Sequence, residues 1–247
     1  MTCIDINVIR KSYSAVAQAK AHLAIENLQF SVHKQEFVCL VGPSGCGKTT
    51  LLNIIAGLDR EGYEGEIRFN QGANLKPKIG YVFQNPRLLP WRTVRENIEL
   101  ALEHQSASLT IDELLESMQL SNIQQHYPER LSLGMSRRVA IVRAFAINPD
   151  LLLMDEPFVS IDAPTARQIR SLLLQLWQDR PHCVLFVTHD LREAIALADR
   201  IIFLSSPPMH LLSDVPVPIP RAERNETQIE QVRQQLLTNQ PEIQMLL

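Results

Sequence analysis

The run Gly42-Pro43-Ser44-Gly45-Cys46-Gly47-Lys48-Thr49 fits the pattern G-x-x-x-x-G-K-[ST] and stands between an apolar stretch, Phe37 to Val41, and a helical pattern from Gly47 to Ala56 closed by Gly57. That setting narrows the fold sharply. A buried strand must turn and feed directly into the N-terminus of a helix, which is the arrangement that cradles an anion. Glycines let backbone amides turn inward, and the helix adds the positive end of its dipole. Lys48 then reaches the terminal phosphates of a nucleotide and Thr49 offers a hydroxyl to Mg²⁺. Gly42 to Thr49, together with Thr50, are therefore the candidate phosphate-binding residues, Cys46 among them only by position. The chain holds nine glycines in 247 residues, and the loop takes three of them within six positions. Beyond Gly80 only Gly134 remains, so each glycine is expected to serve a specific backbone geometry.

Short β-rich runs alternate with helical periodicity over most of the chain, the pattern of a mostly parallel sheet covered by helices. Strands are expected at Ile4 to Ile9, Leu28 to Val32, Phe37 to Val41, Glu66 to Phe69, Tyr81 to Phe83, Leu151 to Met154, Cys183 to Val187 and Ile201 to Leu204. Between Pro86 and about Ala146 the strand signal vanishes. Helices are expected there from near Thr93, from the capping pattern Thr110-Ile111-Asp112-Glu113, and after Gly134. The fold class is thus α/β, with residues 1–85 and 147–220 as the core, 86–146 as an inserted helical subdomain, and 221–247 as a short tail. An amphipathic helix in that tail carries Ile229, Val232, Leu236 and Leu237 on one side.

A second constellation completes the chemistry. Leu151-Leu152-Leu153-Met154 is an apolar strand that ends in Asp155 and Glu156. A phosphate loop needs a carboxylate at such a strand end to hold Mg²⁺, and a neighbouring one can orient or deprotonate the attacking water. Asp155 takes the first role and Glu156 the second. Val187-Thr188-His189 puts a histidine after a further apolar strand, where it is a candidate contact for the γ-phosphate.

Bulk properties exclude other classes. A formal charge of -3 gives no overall field for nucleic acid or an acidic membrane surface. The longest apolar runs are far short of the roughly 20 residues that span a bilayer, and no secretory signal is visible at the N-terminus. The four cysteines form no Cys-x-x-Cys pair, so reduced thiols and no structural zinc are expected.

In order, the chain carries the phosphate loop, Gln84 after Tyr81-Val82-Phe83, a helical insertion, Leu131-Ser132-Leu133-Gly134-Met135-Ser136-Arg137-Arg138-Val139-Ala140, Asp155-Glu156-Pro157 and His189. This series resembles the nucleotide-binding subunit of ATP-binding cassette (ABC) transporters over about residues 4–215. The resemblance implies an ATPase that uses ATP and Mg²⁺. It implies a head-to-tail dimer, with itself or a homologous subunit, at the cytoplasmic face of the inner membrane. By it, Gln84 senses the γ-phosphate and Mg²⁺, Tyr13 stacks on adenine, Ser132 and Gly134 cap the partner's nucleotide, Asp162 lies in the loop that crosses the dimer interface, and His189 is the switch histidine. An exposed loop tyrosine is the other reading of Tyr13.

Leu88-Leu89-Pro90-Trp91-Arg92-Thr93-Val94-Arg95-Glu96-Asn97 resembles the branch that imports nitrate, sulfonates, taurine and similar solutes. The resemblance implies that the region from Gln84 to Asn97 receives a membrane permease subunit, with a separate solute-binding protein upstream and no nucleic acid. Trp91 reads also as a local hydrophobic anchor for the helical subdomain, a role compatible with the first. The alternatives are a lipid-trafficking ABC ATPase and a hydrolysis-poor partner in a heterodimer. The family's signature usually reads Leu-Ser-Gly-Gly-Gln, from which Leu133 and Met135 depart. Leu133 adds bulk and excludes a left-handed backbone, and Met135 removes a side-chain amide.

Overall fold

Alternation of side chains lays down the first sheet. The computed structural model describes residues 2–15, 21–70, 77–102 and 111–244. Strand β1 (Thr2–Tyr13) buries Ile4, Ile6 and Val8 while Asn7 and Ile9 face outward, and β2 (His22–His33) buries Leu28, Phe30 and Val32 in the same rhythm. β3 (Phe37–Val41) has no exposed face at all and runs into α1 (Lys48–Ile55), whose Leu51, Leu52, Ile54 and Ile55 are buried. β4 (Tyr63–Phe69) returns to the first sheet, where β1 lies between β2 and β4, antiparallel to both.

The chain divides into two compact units, Met1–Leu75 with Cys183–Leu247, and Lys76–His182. The second unit contains β5 (Ile79–Val82), α2 (Val94–Glu99), α3 (Ile111–Ser117), α4 (Leu133–Ala146), β6 (Leu151–Asp155) and α5 (Ala163–Asp179). β5 and β6 are parallel, with Val82 opposite Met154. A Cβ on Gly80 would lie 2.6 Å from the Ala144 carbonyl oxygen, so the absence of a side chain there lets α4 lie against β5. α4 buries Val139 through Val142 and Ala144 through Ala146, and it packs on α2, α3 and α5.

The first unit resumes with β7 (Cys183–Thr188), α6 (Leu191–Leu197), β8 (Arg200–Leu204), β9 (Leu211–Pro216), α7 (Glu226–Asn239) and α8 (Pro241–Gln244). β3 lies between β7 and β8, parallel to both, and β9 adds to β8 antiparallel. All five side chains of β3 and all six of β7 are buried, the run expected of parallel strands covered on both faces. Full burial of each large apolar side chain contributes about 1.5–3 kcal/mol, so this strand pair gives the loop that follows β3 a firm base.

Several boundaries differ from those the sequence suggests. β1 and β2 run past Ile4 to Ile9 and Leu28 to Val32 because register with a neighbour, not hydropathy, decides where they end. α4 starts at Leu133 rather than after Gly134, because Ser132 caps it. β9 lies in the Pro-containing stretch after Ser205, where no strand is expected; it pairs through β8, and Pro216 ends it without disturbing the ladder. Thr110 of the expected capping pattern lies outside the described residues.

Candidate functional site: a nucleotide phosphate loop and strand-end carboxylates

The loop between β3 and α1 is held open by glycine conformations. Gly45 has φ 77° and Gly47, the N-cap of α1, has φ 117°, both in the region that side chains resist. A Cβ on Gly42 would meet the Leu204 carbonyl oxygen at 2.9 Å. Lys48 is buried, and its ammonium donates to the carbonyls of Gly42 and Pro43, each at 2.8 Å. Its remaining neighbour is the Cys46 sulfur at 3.9 Å. Burial pushes the Cys46 thiol above its ordinary pKa despite Lys48, so it stays a neutral thiol packed on the Met209 sulfur. Thr49 is exposed at the head of the helix.

The parallel register Val41 opposite Thr188 sets His189 beside the start of the loop, at the same ends of adjacent strands. His189 is exposed. Its turn is fixed on both sides: the Asp190 amide donates to Thr188 Oγ1 at 3.0 Å, and the Asp190 carboxylate accepts from the Arg192 and Glu193 amides.

Tyr13 ends β1, half-buried, with its ring stacked on His22 at 5.1 Å. Its hydroxyl shares a 3.1 Å hydrogen bond with Thr50 and donates to Asp59 at 3.0 Å. Lys11, fully buried, pairs with Asp59 at 2.6 Å and lies 4.4 Å from the Tyr13 ring centroid. Tyr13 is thus tied to the phosphate-loop helix rather than being a free loop residue. A cleft of about 250 Å³, lined by Arg10, Tyr13 and His22 among others, opens beside it.

In the other unit, buried Asp155 ends β6, and Glu156 follows at φ 42°, a left-handed conformation uncommon outside glycine and frequent at functional positions. Burial, with the Asp155 charge second, pushes the Tyr81 phenol well up, so Tyr81 remains a neutral neighbour. Gln84 is exposed just past β5. The backbone around it is gripped from α4: Arg137 donates to the Phe83 and Gln84 carbonyls, and Arg143 to Pro86 at 2.7 Å and Arg87 at 3.0 Å. Sequence reasoning gave these arginines no role; their only signal was charge inside an otherwise apolar helix.

The Ser132 hydroxyl caps α4 by accepting from the Met135 amide at 3.2 Å. Leu133 opens the helix, is 42% exposed and has no left-handed φ. The expected backbone conflict is therefore absent. Gly134 is buried, and a Cβ there would meet Thr165 Cγ2 at 2.9 Å. Asp162 caps α5; the Thr165 amide, donating at 3.0 Å, holds its carboxyl below the usual range.

Between Gln84 and α2, Asn97 organises the chain. It is 1% exposed; Oδ1 accepts from the Leu89 amide at 2.7 Å, and Nδ2 lies within reach of the carbonyls of Leu89, Arg92 and Thr93. Thr93 and Glu96 form a capping box at the start of α2. Trp91, held on this clasped loop, is 68% exposed, so it is not a buried local anchor of the helical subdomain. No helix among the described residues is long and apolar enough to cross a membrane.

Comparison with known proteins matches this architecture. Residues 25–159 match the family model described as ABC transporter. An aliphatic sulfonates import ATP-binding protein, SsuB, of Bacillus cereus is 40% identical, over 95% of this chain and 94% of its own. The nitrate import ATP-binding protein NrtD of Synechococcus elongatus is 38% identical over 86% of this chain and 81% of its own. Among solved structures, dimeric MJ0796, a bacterial ABC transporter cassette, superposes with a TM-score of 0.74 at 32% identity, covering 88% of this chain and all of that one. The same cassette, as a post-hydrolysis dimer bound to ADP and Pi, gives 0.73. The chain belongs to the ABC transporter family, as one of its ATP-hydrolysing ATP-binding cassettes.

Proposed function

We propose that this chain powers uptake of a small oxyanion-bearing solute, a sulfonate, nitrate or taurine-like compound, through a separate membrane permease. In this reading it acts as a head-to-tail dimer, with itself or a homologous subunit, at the cytoplasmic face of the inner membrane. The observation that carries the ATP reading is the phosphate loop, with glycines at left-handed φ and a buried lysine already fixed in its mouth. The import branch rests on relatives named for sulfonate and nitrate import. The exposed Trp91 on the loop clasped by Asn97 suits the permease contact along Gln84 to Asn97. A solute-binding protein would supply the permease.

Each residue has a task in this reading. The loop from Gly42 to Gly47 and Thr50 would bind the phosphates, and Tyr13 would stack on the adenine through its cleft. Lys48 and His189 stabilise charge on the γ-phosphate, and Glu156 accepts a proton from the attacking water. From the partner subunit, the segment equivalent to Ser132 and Gly134 caps the nucleotide, and Asp162 belongs to the loop across the interface. Mg²⁺, when bound, neutralises phosphate charge. The Thr49 hydroxyl, Gln84 and the buried Asp155 are the residues that would hold it. Among the described residues no three His, Cys, Asp or Glu side chains gather into a metal cage.

The test uses two variants. Lys48→Ala should abolish ATP binding measured by calorimetry. Glu156→Gln should bind ATP normally and accumulate as a nucleotide-trapped dimer on size exclusion. A normal hydrolysis rate in Glu156→Gln would refute its role. Reconstitution with the membrane permease that co-purifies with it, followed by labelled sulfonate or nitrate uptake, tests the solute class.

A further inference from the structure

The segment after β9 closes around α6, the helix that begins two residues after His189. Every helix leaves its last carbonyls without intrahelical partners. Here they are taken by two arginines. Arg224 donates to the carbonyls of Ile195 and Ala198 at 2.8 Å each and of Ala196 at 3.3 Å, and Arg221 donates to Leu197 at 2.6 Å. Arg221 also pairs with Asp199 at 2.6 Å, and the Asp199 carboxylate accepts from the Phe37 amide at the start of β3. At the opposite end of α6, Arg192 in its first turn pairs with Glu230 of α7, which also receives Arg233 at 3.1 Å. A seven-residue helix is too short to hold itself, and this one is gripped at both ends by the same segment.

α6 in turn sets the turn that carries His189. The buried carboxylate of Glu193, in the first turn of α6, accepts from Thr188 Oγ1 at 2.8 Å. Asp190 joins Thr188 to the first amides of the helix. His189 therefore stands between two residues whose positions follow α6, just past β7, whose last residue Thr188 lies opposite Val41 at the end of β3.

We propose that Arg221, Arg224 and Glu230 form a clasp by which the C-terminal segment positions His189 for the γ-phosphate. They are positioning residues, not catalytic ones. The inference rests on the reading of His189 given above.

The experiment uses the full chain with carbon-13-labelled histidine. The His189 imidazole resonance is assigned as the one lost in His189→Ala. Arg224→Gln, and Glu230→Gln as a surface isostere that leaves packing intact, should each shift or broaden it. Both should lower kcat for ATP about threefold to tenfold with KM little changed, the scale expected when a reacting group is misplaced by less than an ångström. Placed in the His189→Ala background, they should lower kcat no further. An unmoved resonance in both variants overturns the clasp whatever the rates do, and so does a loss of kcat that persists undiminished without His189. If the resonance moves but His189→Ala hydrolyses ATP normally, the clasp stands and the catalytic reading of His189 falls.

Discussion

Asn97 offers a sharp test of how the loop proposed to meet the permease is held. Its amide supplies two N–H donors and one acceptor, all directed at residues 89–93 within a site that water does not reach. Asn97→Ala removes three net hydrogen bonds at about 0.5–1.5 kcal/mol each and strands the Leu89 amide, so about 2–4 kcal/mol of local stability should go. At 1.4 kcal/mol per tenfold, the Leu89 amide should exchange with deuterium roughly 100-fold faster. Asn97→Asp keeps the acceptor for Leu89 but turns a carboxylate oxygen toward the carbonyls that Nδ2 now serves. It should protect Leu89 no better than alanine does, although it is nearly isosteric. Hydrogen exchange read by mass spectrometry of a peptide covering residues 86–94 reports both. If Asn97→Asp kept native protection, the donors would be irrelevant and the clasp argument wrong. The same variants should weaken permease association while leaving ATP affinity alone.

Three other outcomes follow from particular contacts. Gly80→Ala should lower the denaturant midpoint by about 1–3 kcal/mol worth of stability, because its Cβ meets the Ala144 backbone oxygen at 2.6 Å; an unchanged midpoint would mean α4 shifts freely. Leu133→Gly should raise ATP hydrolysis modestly by removing bulk alone, since no backbone strain exists to relieve; an equal rate in the reconstituted transporter would show the leucine is accommodated. Burial opposes ionisation of Glu230, yet Arg192 and Arg233 outweigh it and hold the carboxyl below its usual range. A depressed folded pKa gives stabilisation that is complete above the unfolded value, about 4.3, and is lost as pH falls through the folded one. The melting-temperature gap between wild type and Glu230→Gln should therefore exist at neutral pH and close on acidification; a gap that survives acid would contradict the ion-pair account.

What was legible in the sequence, and what was not, divides by the kind of partner a residue has. β3, β6 and β7 could be read almost to the residue because strands buried on both faces must be apolar throughout. The phosphate loop was legible because its geometry demands glycine. β9 was not, since only its pairing with β8 makes Leu211–Pro216 a strand. The structural roles of Asn97, Arg137, Arg143 and Arg224 were hidden for one reason: each binds backbone carbonyls outside its own helix, and a carbonyl carries no residue identity. Leu133 was legible as a departure, but its backbone was not. A helix opening on a Ser cap asks nothing left-handed of its first residue.

The lysine of the phosphate loop carries a consequence for nucleotide affinity. Its ammonium has three protons, of which two already point at carbonyl oxygens of Gly42 and Pro43, while among the described residues the third meets the Cys46 sulfur, a weak acceptor. The side chain has thus surrendered its rotamer freedom during folding, and an arriving phosphate oxygen need displace only a thiol. In the proposed reading, binding would then proceed without the ordering cost of about 0.5–1.5 kcal/mol that a mobile lysine would incur. An arginine at this position would keep the charge and forfeit the advantage, because a planar fork cannot reproduce a tripod.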